Sequence, residues 1–205
     1  MKVNSKYLVG IDEAGRGPLA GPVAVGVAVV PSNFDWQSKL PDVNDSKQLS
    51  EKKREEIFKM ARRLKAAGQL NYAVSMVSAK VIDKVGIVTA INCGIEKSLK
   101  KISAYHTINR MIVKLDGGLI APAEYKHQET IVKGDASEPI IGLASIMAKV
   151  TRDRYMTLQS SKPIFAPYNF ATHKGYGTKA HREAISQYGL STIHRISYCK
   201  NIKML

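Results

Sequence analysis

The first third of the chain carries short apolar runs of the kind that form β-strands. Residues 6 to 13 make one such run, which predicts a first strand. A second strand is predicted where valines alternate with alanine and glycine, so that one face of the strand is made of small residues. The alternating valines are Val23, Val25, Val27 and Val29. Residues 70 to 77 suit a third strand.

Apolar residues at helical spacing occupy the segments between and after these strands. Residues 31 to 49 are expected to form a loop, after which Ser50 is a suitable N-cap for a helix. That helix has acids in its first turns and bases in its last turns, as the helix dipole favours, and Gly68 is expected to end it. A second apolar helical stripe runs from Ile87 to Ile102.

The second half of the chain twice shows a strand followed by a carboxylate and glycine. Residues 110 to 118 read RMIVKLDGG, and residues 129 to 135 read ETIVKGD. Ser137 is expected to cap the helix that follows, and Thr178 to cap a last helix over residues 178 to 187. Successive strands, then alternating helices and strands, then helices predict an α/β sheet of mixed direction with a helical C-terminal portion.

Length and composition favour one globular domain. The chain has 205 residues, 44% of them hydrophobic, which is enough for a full core. Its longest strongly apolar stretch, Val23 to Val30, is far too short to span a bilayer, and the first residues lack the apolar segment of a secretory signal. Cys93 and Cys199 are far apart and are expected to be free thiols, which indicates a cytoplasmic protein.

The charge balance narrows the possible partners. Lysine and arginine number 31 against 17 acids, a net charge of +14. Such an excess favours a polyanionic partner such as nucleic acid, although a solvated basic surface gives the same composition. No membrane partner is expected.

Four acids lie within an apolar strand or at strand ends: Asp12, Glu13, Asp116 and Asp135. Neighbouring strands lie about 4.8 Å apart, so their ends can bring such carboxylates together, where they repel one another. Divalent cations would remove this conflict, and oxygen ligands suit Mg²⁺ or Mn²⁺. Two such cations can hydrolyse a phosphodiester. The alternative is four separate structural acids.

Other candidate residues flank these acids or lie near the C-terminus. The turn Gly15-Arg16-Gly17 could bring backbone groups and Arg16 to a phosphate, or could be an ordinary tight turn. In the segment HKGYG, Lys174 supplies charge, and Tyr176 could stack on a base or sugar or pack inward. Lys47 could bind a phosphate, or could be a surface charge of its loop. Structural roles are favoured over metal binding or acid–base chemistry for three histidines: His173, His181 and His194.

Taken together, these motifs resemble the ribonuclease HII family, the type 2 ribonucleases H. The resemblance covers nearly the whole chain and rests on motifs in this order: GIDEAGRGPLAGPV, DSKQLSEKKREEI, LDG, KGD, ASIMAKVTRDRYM, HKGYGTKAHREAI and HRISY. It implies a ribonuclease H-like fold with a mixed five-stranded sheet flanked by helices. Residues from about 160 to 205 would form a helical substrate-binding appendage.

The resemblance also implies an activity and a set of site residues. The enzyme would cut the RNA strand of RNA–DNA hybrids, and would cut 5′ of single ribonucleotides in duplex DNA, leaving 3′-hydroxyl and 5′-phosphate ends. The acids Asp12, Glu13, Asp116 and Asp135 would be catalytic and would hold two Mg²⁺ or Mn²⁺ ions. Substrate binding would fall to Gly15, Arg16, Gly17 and Tyr176, and Lys47 and Lys174 are added to this set as candidates from their own charge. A monomer acting in ribonucleotide excision repair and DNA replication is expected.

The sequence departs from the family at a few positions and leaves two other functions open. Gly117-Gly118 stands where Gly-Asn is usual, and Gly142-Leu143 where Ala-Ala is common. None of these departures removes a catalytic acid. The alternatives are a related metal-dependent nuclease acting on branched DNA and a nucleic-acid-binding module without catalysis.

Overall fold

The sheet is mixed and five-stranded, as the sequence predicts. A computed structural model describes residues 6–43 and 49–203. The strands are β1 (Tyr7–Ala14), β2 (Val23–Pro31), β3 (Asn71–Val77), β4 (Met111–Asp116) and β5 (Gln128–Ile131). Their spatial order is β3-β2-β1-β4-β5. The first three strands are antiparallel neighbours, whereas β4 runs parallel to β1 and β5 parallel to β4.

Eight α-helices lie in the described part of the chain. They are α1 (Trp36–Lys39), α2 (Glu51–Ala66), α3 (Ala79–Val85), α4 (Ile87–Ser103), α5 (Gly134–Ser137), α6 (Pro139–Ser160), α7 (Phe170–His173) and α8 (Lys179–Tyr188). Short 3₁₀ segments cover Ile108–Arg110, Pro163–Tyr168 and Ile196–Tyr198. The predicted caps Ser50 and Thr178 are confirmed, since each side chain accepts a backbone N–H in the first turn of its helix.

Two local predictions were wrong, and one helix was missed. The predicted loop over residues 31 to 49 contains the one-turn helix α1, which Asp35 caps. The sequence reasoning also missed α3, whose N-cap is Ser78. Ser137 does not cap the long helix, because it is the last residue of α5 and Glu138 takes the N-cap position of α6. Proline is favoured at the first helical position, and Pro139 therefore fixes the start of α6.

Helices cover both faces of the sheet. On one face α4 packs against the central strands, and the Ser98 hydroxyl donates to the Val25 carbonyl at 3.2 Å. On the other face α6 crosses β1 and β2 at glycines: a Cβ on Gly10 or Gly26 would come within about 2 Å of a carbonyl oxygen of α6. The small-residue face of β2 therefore lets the long helix approach the sheet closely.

The C-terminal segment forms a third apolar cluster around residues that follow β1. Leu19 and Ala20 pack there with Met156 of α6 and with Phe170 of α7. Ala20 also pairs with His194 through an isolated antiparallel bridge. The loop after β1 is thus enclosed by residues more than a hundred positions away, and it lies at the sheet edge where Asp12, Glu13 and Asp116 are found.

Candidate active site

Two carboxylates lie side by side because two parallel strands end at the same edge. The register of β1 and β4 pairs Ile11 with Leu115, and the next residue of each strand is an acid, Asp12 and Asp116. Both acids line one cavity of about 480 Å³, together with Glu13. The strand-end acids predicted from the sequence therefore come together in three of four cases.

Asp12 carries the strongest electrostatic perturbation at this edge. Only 3% of the residue is exposed, and burial raises the pKa of its carboxyl to about 8. The hydrogen bond with Ser145 opposes this shift, while the nearby carboxylates of Glu13 and Asp116 add to it. The Glu13 N–H also donates to Asp12 Oδ1 at 2.7 Å. Removing the proton at neutral pH requires a positive charge beside this group.

Asp135 lies next to Asp116 but outside the residues that line the cavity. It lies in the first turn of α5 and is 1% exposed. Its backbone N–H points to Asp116 Oδ1 at 3.4 Å. The structure therefore places the Asp135 backbone beside the Asp116 carboxylate, where its N–H can orient that carboxylate.

The carboxylate oxygens of the cavity are chemically suited to hard divalent cations, although the side chains do not form a closed ligand shell. Carboxylate oxygens are the protein ligands that Mg²⁺ and Mn²⁺ prefer. Within residues 6–43 and 49–203, no three His, Cys, Asp or Glu side chains converge closely enough to hold one ion. Three carboxylates nevertheless share the cavity, and the raised pKa of Asp12 indicates that positive charge is needed there.

The turn Gly15-Arg16-Gly17 forms one wall of the same cavity. The Arg16 Nε atom donates to Glu13 Oε1 at 2.7 Å, so its side chain is paired with an acid. Gly15 has φ of +90°, and a Cβ there would meet the Arg152 side chain at 2.1 Å, so the turn requires glycine at this position.

Two buried arginines lie next to this turn, one of them bonded to it, and the sequence reasoning did not find them. Arg195 donates to the carbonyls of Gly15 at 2.6 Å, Arg16 at 2.8 Å and Gly21 at 3.0 Å. Both Arg195 and Arg152 are fully buried. Burial, with the neighbouring Arg152 charge, lowers the pKa of Arg195 to about 10, so Arg195 remains charged at neutral pH.

Arg152 connects this loop to the C-terminal motif. Its guanidinium donates to the carbonyls of Pro22 at 2.8 Å, Ala20 at 3.0 Å and Lys174 at 3.0 Å. Its Cζ also lies 5.7 Å from the centre of the Tyr176 ring. One side chain therefore joins the loop after β1 to the segment that carries Tyr176.

Tyr176 is accessible to a ligand. The residue is 41% exposed, lines the cavity, and has Lys149 Nζ 5.6 Å from its ring centre. The sequence left open whether Tyr176 is available for stacking or packs inward, and in the structure its ring is exposed. Lys149, Arg54 and Ser145 also line the cavity and were not among the predicted residues.

The remaining predicted lysines lie elsewhere. Lys174 is largely buried, and its ammonium donates to Thr157 Oγ1 at 3.1 Å rather than lining the cavity. Lys47 lies outside the described residues. A second cavity of about 390 Å³ shares Glu13, Arg16 and Asp116 with the first and extends past Gly117 and Gly118.

Comparison with known proteins identifies the family. A family model described as Ribonuclease HII matches residues 9–201. Ribonuclease HII of Endomicrobium trichonymphae is 41% identical over 191 residues, which are 93% of this chain and 84% of that protein. Ribonuclease HII of Caldicellulosiruptor bescii is 42% identical over 200 residues, 98% of this chain and 90% of that protein.

Solved structures share the fold. The ribonuclease HII of Archaeoglobus fulgidus, solved as a complex with PCNA, superposes with a TM-score of 0.72 at 24% identity and covers 95% of this chain and 94% of that one. Bst-RNase HIII in complex with Mn²⁺ superposes with a TM-score of 0.66 at 16% identity, covering 96% of this chain and 68% of that one. In the described part of this chain, no helix has the length and apolarity needed to cross a bilayer.

Proposed function

The chain belongs to the ribonuclease HII family, whose members are nucleases that hydrolyse phosphodiester bonds, and from this premise we propose its substrates and mechanism. The enzyme cuts the RNA strand of RNA–DNA hybrids. It also cuts 5′ of single ribonucleotides embedded in duplex DNA. Both reactions leave 3′-hydroxyl and 5′-phosphate ends. We place this activity in ribonucleotide excision repair and DNA replication.

The observation that carries this proposal is one cavity lined by three kinds of group. The carboxylates come from Asp12, Glu13 and Asp116. A glycine-rich turn at residues 15 to 17 offers peptide groups, and Tyr176 offers an exposed aromatic face. A nuclease that recognises ribonucleotides needs all three, because it must hold a phosphodiester, sense a 2′-hydroxyl and fix the neighbouring sugar.

In the proposed mechanism Asp12, Glu13 and Asp116 would be the main ligands of two divalent cations, and Asp135 would complete the site. When bound, Mg²⁺ or Mn²⁺ would supply the Lewis acidity that activates a water and stabilises the leaving oxygen. The structure of the related ribonuclease HIII with Mn²⁺ supports this choice of cation. Ser145, as a hydrogen-bond partner of Asp12, fixes the orientation of that carboxyl.

Substrate recognition is assigned to the turn and the ring. The peptide N–H groups of Arg16 and Gly17 point away from Arg195, because the carbonyls of the same planar peptides, those of Gly15 and Arg16, point towards it. They are therefore available to meet the 2′-hydroxyl at the RNA–DNA junction. Tyr176 stacks on the deoxyribose side of that junction.

Basic side chains hold the duplex backbone. Lys149 and Arg54 add positive charge to the cavity wall, and residues from about 160 to 205 serve as a helical substrate-binding appendage. We also propose a cytoplasmic monomer, since Cys93 and Cys199 are free thiols as in a reducing compartment.

The first test is cleavage of a DNA duplex that contains one ribonucleotide, with Mg²⁺ or Mn²⁺ and with chelator. We expect a cut 5′ of the ribonucleotide that chelator abolishes and that deoxy substitution at this position blocks. Cutting that survives deoxy substitution would support a branched-DNA nuclease instead. Duplex binding that survives chelation, with no cleavage when cation is added, would support a binding module.

The second test addresses the carboxylates. Asp12→Asn should abolish turnover while leaving duplex affinity largely intact, because it removes a cation ligand and no contact with the duplex backbone. Asp42→Asn is the matched control, since Asp42 is an exposed acid paired with Lys53. Near-normal turnover of Asp12→Asn would remove Asp12 from the mechanism.

The third test addresses Tyr176. Tyr176→Ala should weaken cleavage at single embedded ribonucleotides more than on long hybrids, because only the embedded site has a deoxyribose at the stacking position on every cut. Tyr176→Phe keeps the ring and should retain most activity. Equal losses on both substrates would reject a junction-specific role.

A further inference from the structure

Two buried histidines and the partly buried His173 form a cluster next to the Tyr176 loop, apart from the residues that line the cavity. His181 is fully buried and His194 is 3% exposed. The rings of His173 and His181 stack with centroids 4.3 Å apart, and those of His181 and His194 are 5.2 Å apart. Tyr168 and Phe170 pack around them.

The hydrogen bonds of His181 and His194 allow only one arrangement of protons. The Tyr176 carbonyl can only accept, so His181 Nδ1, 2.8 Å away, carries its hydrogen. The Nε2 of neutral His181 is then an acceptor, and His194 Nε2 at 3.0 Å must donate to it. His194 Nδ1 accepts in turn from the Ser191 N–H at 2.8 Å. The donors therefore all point in one direction, from Ser191 to Tyr176.

His173 fixes the residue before the tyrosine. Its Nε2 lies 2.7 Å from the Tyr168 carbonyl and therefore donates, so its Nδ1 is free to accept the Gly175 N–H at 3.2 Å. The backbone groups on both sides of the Gly175–Tyr176 peptide are thus held by neutral imidazoles.

We propose that His181 and His194 form a neutral relay that positions Tyr176. Together with the Thr178 N–H, which donates to the same carbonyl at 2.8 Å, the relay fixes the Tyr176 carbonyl, and so the ring, against the sugar next to the cut. The proposal rests on the proposed function of Tyr176. Both histidines are positioning residues, since neither lines the cavity in which substrate would lie.

The surroundings keep the relay neutral. Protonating His181 at Nε2 would set two N–H groups against each other across the 3.0 Å contact, and protonating His194 at Nδ1 would set its new N–H against the Ser191 N–H 2.8 Å away. The titratable or charged groups that face the pair are His173, Arg182 and Tyr168, none of which is an acid. Burial lowers the pKa of His181 and His194 to about 4, and the neighbouring cations or imidazoles oppose protonation further.

The activity test is a double-mutant cycle between the relay and the ring. His181→Phe keeps a ring of similar size and removes both nitrogens. It should lower kcat/KM at a single embedded ribonucleotide by roughly tenfold, the order expected for losing one stacking contact, and affect long hybrids less. In the Tyr176→Ala background it should cause no further loss. His181→Asn, whose amide can donate to the Tyr176 carbonyl, should recover part of the activity.

The outcomes separate the relay from the proposed function itself. If Tyr176→Ala has no junction-specific effect, the role of Tyr176 fails. If that effect is present but His181→Phe has none, or its loss adds fully to that of Tyr176→Ala, the relay is overturned. His127→Phe, at an exposed histidine outside the cluster, is the matched control.

A spectroscopic test needs no variant. In a ¹⁵N-labelled protein between about pH 6 and pH 8, long-range ¹H–¹⁵N correlations should show the Nδ1–H tautomer for His181 and the Nε2–H tautomer for His173 and His194. The opposite tautomer at His181, or a charged ring at His181 or His194, would overturn the proposal even if His181→Phe failed to fold.

Discussion

Replacing Asp12 by asparagine should make the cation-free protein more stable at neutral pH. Asp12 is 3% exposed, and burial raises the pKa of its carboxyl from 3.8 to about 8, with the Glu13 and Asp116 carboxylates adding to the effect. The folded protein therefore holds a proton at neutral pH that the unfolded chain has already lost. Asparagine is neutral and similar in shape, so it needs no proton to occupy this site.

The magnitude follows from the difference between the folded and unfolded pKa. Each unit is worth about 1.4 kcal/mol, and roughly three units separate the unfolded pKa from neutral pH. The native free energy of unfolding therefore carries a cost of about 4 kcal/mol at neutral pH, which Asp12→Asn removes. The sign is fixed: the folded state binds more protons, so stability falls as pH rises from about 4 to about 8.

The assay is urea unfolding with chelator at several values of pH between about 4 and 9. The stability of the native protein should fall through this window relative to that of Asp12→Asn, and the two should converge near pH 4. Adding Mn²⁺ should stabilise the native protein more than the variant, because a ligand that binds only the folded state stabilises it. A variant no more stable than the native protein near pH 8, or one with the same pH dependence, would refute the reasoning.

Three further predictions concern other contacts. Asp83→Asn should show the opposite pH trend in the same unfolding assay. Burial raises the pKa of Asp83, but hydrogen bonds from the segment at Ser197 outweigh burial and lower this pKa. The native acid therefore stabilises the fold above about pH 4, and this contribution is lost as pH falls. Arg195→Gln should cost about 3 kcal/mol in thermal unfolding and reduce cleavage at single ribonucleotides, because it leaves buried carbonyls of the turn without a charged donor. Gly142→Ala should lower stability by about 1–3 kcal/mol, since its Cβ would lie 2.5 Å from the Val43 carbonyl, whereas Gly118→Ala, with open space around it, should change stability by less than about 0.5 kcal/mol.

Local signals in the sequence were sufficient where the stabilising contact is itself local. The Ser50 cap accepts a hydrogen bond three residues away, and the stripe from Ile87 to Ile102 follows the helical period. The start of α6 was missed because two local signals compete, and the proline at position 139 prevails over Ser137. The helix α3 has only seven residues, which is too few for a clear period.

The carboxylates were predictable for a different reason. Each lies within an apolar strand or near the end of one, and an acid in that position requires a compensating charge wherever the strand is buried. The sheet order that makes Asp12 and Asp116 neighbours is tertiary, since β4 begins about a hundred residues after β1. Sequence therefore indicated the chemistry of the site, whereas the side-by-side placement of the two strands depends on long-range packing.

The buried arginines could not be found from spacing, and they decide the geometry of recognition. Arg195 binds carbonyls 180 positions earlier in the chain, and Arg152 joins residues 20 to 22 to Lys174. These two side chains, together with the backbone hydrogen bond from the Leu19 N–H to the Gly175 carbonyl at 2.9 Å, therefore fix the distance between the proposed 2′-hydroxyl-sensing turn and the Tyr176 ring. A loop substitution at the surface should alter one contact with the substrate, whereas loss of a buried arginine should alter the spacing between both. This difference explains why a C-terminal segment without catalytic acids is packed so closely around the residues that follow β1.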